Sequence, residues 1–292
     1  MLVVYDPALS GYHEIRPISY QTEEWYNDIG KFTLIVAISD YNIAHLVKRG
    51  ILYRPEIDQT MVITRVSPDT SQDRITINGY TANWLLNKRS ISSGSTLTTV
   101  ETGLYSALTS NLRSLSNIQN ASAAGYTETY NAALLGGDFM DVAIPILDAA
   151  GLGQGLSLNT NTMKLVWTIY KGTDLTTGSH AVIFSDEQGT ARDLKIEDDE
   201  SIFKNVFYVS GTLTDGTTVV REIGSATGDD RFECWFDSKL KQSSGETLSA
   251  FQARLDSAGA AELAKRVRKL GFSVRIDPGD YGVAYTMGDA VR

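Results

Sequence analysis

The chain has 292 residues, 42% of them hydrophobic and 21% charged, and a formal net charge of -9. That size buries a sizeable core in two domains or one large one, and the balance is that of a folded globular protein rather than a disordered one. The acidic excess argues against a broad nucleic-acid-binding face, which gains affinity through clustered Lys and Arg, and the single cysteine excludes an intrachain disulfide framework.

In chain order, residues 1–6 carry no basic region and too short an apolar run for a signal peptide, so synthesis and folding in a cytoplasm are expected. No stretch approaches the length of a helical membrane span. Residues 31–38 alternate, with Phe32, Leu34, Val36 and Ile38 on one face and Lys31, Thr33 and Ala37 on the other, the period of a half-buried strand. A short polar-apolar turn covers 42–50. Residues 61–66 and 74–80 read as further strands joined by a polar hairpin loop over 68–73. Several short strands at this spacing predict a small antiparallel barrel or sandwich over 1–95.

Leu97, Val100, Leu104, Leu108, Leu112 and Leu115 recur at helical spacing and predict one amphipathic helix. The Ser-, Asn-, Ala- and Gly-rich stretch 116–137 reads as an exposed excursion. Asp138 is placed to cap a second helix bearing Phe139, Val142, Ile146 and Leu147, with Pro145 predicting a kink or a helix in two pieces and Gly151 a stop. Residues 163–170 alternate as a strand, as do 203–209, 217–223 and 231–236. Leu248, Phe251, Leu255, Leu263, Val267 and Leu270 predict the longest helix, about 247–270, between a Ser244-Gly245 start and a Gly271 stop. Residues 272–276 and 281–287 read as strands around a turn at 277–280. The fold class is therefore α+β, mainly antiparallel β. The divisions expected are a barrel over 1–95, a mixed α/β region over 96–200 and a second strand-rich unit over 201–292.

Chemistry is hard to find in this chain. His13, His45 and His180 lie far apart, with no second ligand at metal-binding spacing. No nucleophile elbow or triad stands out. Gly151, Gly153 and Gly155 have a glycine rhythm, but it follows a helix and leads into a strand, the reverse of a phosphate site, and reads as a helix stop plus loop. Asp229, Asp230 and Glu233 could supply an acid pair for sugar hydrolysis, although acids near a turn are more often structural. Cys234 falls on one strand face with Phe232 and Phe236 and reads as a buried thiol. The run at 197–200 reads as solvated loop charge, and 239–241 as the only local basic patch. Catalytic, metal and cofactor sites are expected to be absent.

One pattern is more informative. Gly30 precedes the strand bearing Phe32, and the strand through Gly79-Tyr80 runs into Trp84-Leu85-Leu86 and Arg89. This order resembles the N-terminal barrel of tail-hub proteins from long-tailed bacteriophages and prophages, similar to the baseplate hub of contractile-tailed phages. Residues 182–185 before a Gly189 loop, 205–211, the strand at 231–233 before a long helix, and 285–289 extend the likeness.

The resemblance implies a virion structural protein at the tail tip and no enzyme. Each chain of that family carries two related β-barrels with an inserted α/β portion. Three chains form a ring that adapts a six-fold tube to three-fold tip structures and lets genomic DNA pass without specific binding. Implied partners are two further copies and adjacent tail proteins, such as a distal tail ring and tip or fibre proteins, in the service of host attachment. The family pattern continues with further strands past Arg292, so the second barrel is expected to lack its closing strands here, or the chain to be cut. Gly30, Phe32, Gly79, Trp84, Leu85, Leu86 and Arg89 form the structural fingerprint. Trp84, Leu85 and Leu86 are expected to plug one end of the first barrel, with Trp84→Ala costing about 3–5 kcal/mol. The alternatives are a tail-associated cell-wall hydrolase and a carbohydrate-binding module, the latter suggested by aromatic and β content.

Overall fold

Alternation decides the first sheet. In the computed structural model, which describes residues 1–92, 95–134, 136–185, 187, 189–276 and 279–292, seven antiparallel strands follow one another: β1 (Leu2–Tyr5), β2 (Tyr12–Ile15), β3 (Ser19–Glu23), β4 (Lys31–Ala37), β5 (Ile51–Arg54), β6 (Gln59–Asp69) and β7 (Arg74–Thr81). Their order is β2-β1-β5-β6-β7-β4-β3. Phe32, Leu34 and Val36 of β4, Ile75 and Ile77 of β7, Met61 and Ile63 of β6, Leu52 of β5, Leu2 and Val4 of β1 and Ile15 of β2 join one buried cluster, with Tyr20 of β3 at its margin. Strands from both ends of the order share that interior, so the sheet curls around it. The edge strands β2 and β3 form no ladder with each other, and the predicted barrel is open there. The turn expected at 42–50 begins as a short helix, α1 (Asp40–His45), capped by Ser39 Oγ accepting from the Asn42 N–H.

β1 is buried on both faces, as an unbroken apolar run requires. Val3 and Tyr5, with Ile51 and Val62, point outward into a second and larger core. That core is built by β8 (Ser95–Thr99), α2 (Val100–Asn111), β9 (Ile118–Asn120), β10 (Thr129–Leu134), α3 (Phe139–Ala150), β11 (Gly153–Asn159) and β12 (Lys164–Tyr170). Trp167 lies at its centre, edge-on to Phe139 (5.2 Å) and Tyr105 (5.5 Å). β8 pairs with β10, and β12 pairs antiparallel with β11 and parallel with β9.

The helical leucine pattern is shared among several elements here. Leu97 belongs to β8. α2 ends at Asn111, before Arg113 and Ser114 take positive φ of 45° and 69°, which no helix continues. The excursion at 116–137 holds two strands, and residues 124–126 are pinned by the fully buried Glu101, whose carboxylate accepts the N–H groups of Ala124, Gly125 and Tyr126 at 2.6–3.0 Å. Pro145 sits within one continuous α3. Gly151, at φ 65°, ends that helix, while Gly153 and Gly155 lie in β11 rather than in a loop.

Contacts divide the chain into two compact units, residues 1–184 with 277–292, and 185–276. The second unit holds β13 (Ala191–Asp199), β14 (Val206–Thr212), β15 (Thr218–Ile223), β16 (Glu233–Lys241), α4 (Leu248–Leu263) and β17 (Lys269–Ile276). Its three-stranded sheet runs β15-β14-β16, with β14 and β16 parallel. α4 lays Phe251 and Leu255 on Phe207 and Val209. Gly259 permits that approach, since a Cβ there would meet Val209 Cγ2 at 2.3 Å. β13 and β17 form a separate antiparallel ribbon.

The longest helix therefore stops at Leu263 rather than near 270. Its start is Thr247, whose Oγ1 accepts from the Ala250 N–H. The bonds from Lys265 and Arg266 to Glu262 and Leu263 tighten the end into three-residue turns. Val267 then points to solvent, and Leu270 and Gly271 belong to β17. Residues 281–287 form no strand and make only an isolated bridge between Tyr281 and Tyr285. Asp277 and Pro278 of the expected turn lie outside the described residues.

Candidate functional site

The fingerprint residues meet where the first sheet joins the second core. Phe32 lies directly across from Gly79 in the β4–β7 ladder. A Cβ on Gly79 would fall 2.5 Å from the Phe32 ring and 1.9 Å from Val62 O, so the glycine admits both the ring and a β6 backbone that is bulged between Ile63 and Arg65. Gly30 is equally constrained, at 2.0 Å from Glu23 O. Its N–H donates to Thr81 Oγ1 (2.8 Å) and its carbonyl accepts the Thr81 N–H (3.0 Å), tying the start of β4 to the end of β7.

From Thr81 the chain enters a 3-10 helix, Ala82–Lys88, with three-residue spacing. Leu85 and Leu86 are 4% and 0% exposed, and both join the second core, not the interior of the first sheet. The expected barrel plug is thus a wedge between the sheet's outer face and α3, because the inner cluster is already filled by strand side chains. Trp84 is half-buried and stacks on Tyr80 (5.7 Å, 15°). Asn87 Oδ1 accepts the Met140 N–H (2.8 Å) and so caps α3, the task sequence reasoning gave to Asp138, whose carboxylate instead accepts from Ser90 Oγ. Arg89 Nε donates to Leu112 O (2.7 Å), closing the end of α2.

Beside this wedge opens a cleft of about 370 Å³. Its floor is polar and buried. Gln59 donates to Glu24 and accepts from the Tyr20 hydroxyl (3.0 Å), and Gln154 accepts from Trp167 Nε1 (3.1 Å). Asn83 and Gln154 both donate to Asp28 O. Tyr281 donates to Glu24 (3.0 Å), and burial together with that carboxylate pushes its phenol upward. Burial, with Tyr26 and Glu24 nearby, pushes Tyr170 up to about 12, so its hydroxyl keeps its proton. The segment carrying Tyr281 is held by Asp289, which accepts the Thr173 N–H (2.7 Å), and by the close approach of Gly172 to Gly288. Nothing in the sequence pattern marked this cleft, because its walls come from six separated stretches.

The suspected chemical groups are placed differently from expectation. His13 and His45 come together, ring centroids 3.5 Å apart, with Tyr41 beside both. Their separation in sequence concealed this contact between β2 and α1. Among the described residues no group of three or more His, Cys, Asp or Glu is arranged for a metal ion. His180 is exposed. Glu233 pairs with Arg231, which also holds Glu222 (2.8 Å) and keeps the Glu233 carboxyl below its ordinary range, so it is a structural ion pair. Asp229 and Asp230 sit on an exposed turn. Cys234 is half-buried with Phe236 against the α4 core, whereas Phe232 lies ahead of β16 and is 43% exposed. In the acidic run, Asp198 and Glu200 pair with Arg268, and Lys239 of the basic patch pairs with Asp237.

Comparison with solved structures finds the tail protein from Neisseria meningitidis MC58, at TM-score 0.52 and 13% identity, covering 87% of this chain and 74% of that one. The fold is thus one seen in a tail protein. Two others are the prophage tail protein gp18 from Listeria monocytogenes EGD-e (TM-score 0.48, 13% identity, 82% and 71% covered) and the prophage MuSo2 43 kDa tail protein from Shewanella oneidensis (0.49, 10%, 91% and 79%). No curated protein matches the sequence. Residues 1–292 match the family described as Siphovirus ReqiPepy6 Gp37-like protein, and the chain belongs to that family.

Proposed function

We propose that this chain is a structural protein of the phage tail, located at the tail tip as a hub. The observation that carries the reading is membership of a siphovirus family across residues 1–292, and the likeness of fold to a tail protein supports it. In this reading three copies close a ring, and the curled first sheet acts as the first barrel of each. The division into a barrel over 1–95, an inserted region over 96–200 and a second barrel-related unit over 201–292 belongs to the same proposal. Gly30, Phe32, Gly79, Trp84, Leu85, Leu86 and Arg89 serve it by fixing the junction that carries the first barrel.

A ring needs surfaces that each subunit covers on its neighbour. Ile196 and Leu270, both 73% exposed, are diagonal neighbours on one face of the β13–β17 ribbon, and Tyr41 and Ile43 are exposed on α1. These support assembly. The net charge of -9 suits a channel through which DNA slides without binding, and the acidic excess is expected to face that channel. The chain acts by assembling with adjacent tail proteins, without cofactor or catalysis. Light scattering on the purified chain tests the stoichiometry: three times the chain mass is expected. A monomer with measurable glycan affinity would instead favour a carbohydrate-binding module, and cell-wall hydrolysis abolished by one carboxylate substitution would favour a hydrolase.

A further inference from the structure

The cleft between the first sheet and β11 has a donor and acceptor balance that points to a particular partner. Its lining includes Glu24, Asp28 and Asp58 and no Lys, Arg or His. None of the three carboxylates is in an ion pair among the described residues. Side-chain donors on the walls are largely consumed within the protein. The amides of Gln59, Asn83 and Gln154 bond Glu24 and Asp28 O, the Tyr281 hydroxyl bonds Glu24, and Trp25 Nε1 bonds Glu23 (3.1 Å). What the cleft still offers is mainly carboxylate lone pairs and aromatic faces. Trp25 is 55% exposed at its rim, and Tyr170 and Tyr281 are protonated phenols. A donor-rich cation satisfies both features, through charge-assisted hydrogen bonds and through attraction to the ring faces.

The backbone of β11 adds a second, independent feature. Its ladder to β12 leaves the N–H groups of Gln154, Leu156 and Leu158 on the outer edge. Gln154 N–H donates to Tyr26 O (2.9 Å) and Leu158 N–H to Thr60 Oγ1 (3.0 Å). Leu156, between them and lining the cleft, has no hydrogen-bond partner on that edge among the described residues. An extended chain can pair with an open strand edge, setting its alternate side chains into adjoining pockets.

We propose that the cleft seats an extended, lysine- or arginine-bearing segment of a partner protein, its backbone pairing at Leu156 and its cationic side chain lying among Glu24, Asp58 and the Trp25 and Tyr281 rings. This goes beyond the tail-hub reading and does not depend on it. A volume of about 370 Å³ suits one or two long side chains and lies in the range of small-ligand pockets, roughly 300–1,000 Å³.

Fluorescence anisotropy with a labelled, end-blocked Gly-Lys-Gly-Lys-Gly peptide tests it on the full chain, with Gly-Glu-Gly-Glu-Gly and chitotriose as comparisons. Saturable binding of the lysine peptide alone is expected. Trp25→Ala combined with Asp58→Asn should weaken it by about tenfold or more. Trp25 is exposed and asparagine tolerates the left-handed φ of 49° at position 58, so this variant keeps the fold, which its unfolding transition would verify. Glu197→Gln, a charge-matched change on β13 in the other unit, should leave binding unchanged. No saturable lysine-peptide binding, equal weakening by Glu197→Gln, or binding of chitotriose in its place would each overturn the proposal.

Discussion

Trp84 and Leu86 stand two residues apart, yet burial predicts opposite ranks for them. Leu86 is fully enclosed in the second core, so Leu86→Ala should cost about 2–5 kcal/mol in urea denaturation. Trp84→Ala should fall below the roughly 3–5 kcal/mol of a buried aromatic truncation, because part of its surface is already in water and it stacks on Tyr80. Trp84 costing more than Leu86 would contradict this placement of the wedge. Glu101 is a sharper case, a buried carboxylate that satisfies three backbone N–H groups. Glu101→Ala should destabilise by at least about 2 kcal/mol, since buried donors lose their acceptor. Faster hydrogen exchange at residues 124–126 would locate the damage, and unchanged exchange there would refute the assignment.

At the scale of elements, α4 depends on a carboxylate just before its first turn. Glu246 accepts the Ser243 N–H (2.9 Å) and pairs with Arg254 (2.8 Å), and these bonds hold its carboxyl below the ordinary value. A lowered folded value means that the stabilisation is present above the ordinary carboxylate range near 4.5. It is lost as pH falls through that lower value. Thermal melts of wild type and Glu246→Gln should therefore differ near pH 7 and converge toward pH 2–3, and a difference that persists in acid would count against the pairing. Elements with strict local periods were legible in the sequence. Strands β4, β7 and β12 show their inward sets as Phe32-Leu34-Val36, Ile75-Ile77 and Leu165-Trp167-Ile169. Where one apolar pattern is divided among elements, local reading failed. Leu115 and Leu270 kept helical spacing but lie beyond the ends of α2 and α4, because the positive φ at Arg113 and Ser114 and the tightened end of α4 are backbone events that spacing does not record.

At the scale of the whole molecule, the site was less legible than the fold. The glycines at 30 and 79 and the Trp84-Leu85-Leu86 run could be singled out, but the direction in which the run is buried depends on a second core whose residues range from Val3 to Ile169. The cleft and the His13–His45 pair arise only from long-range packing, and no local motif carries them. Family membership sets the chain among the Siphovirus ReqiPepy6 Gp37-like proteins, and the proposed place at the tail tip and the proposed ring go beyond it. The direct test is cryo-electron microscopy of purified virions in which this protein carries a small label. A ring of label at one end of the tail, at the host-facing tip, is the predicted result. Label distributed along the tail, or missing from the particle, would rule out a hub at the tail tip.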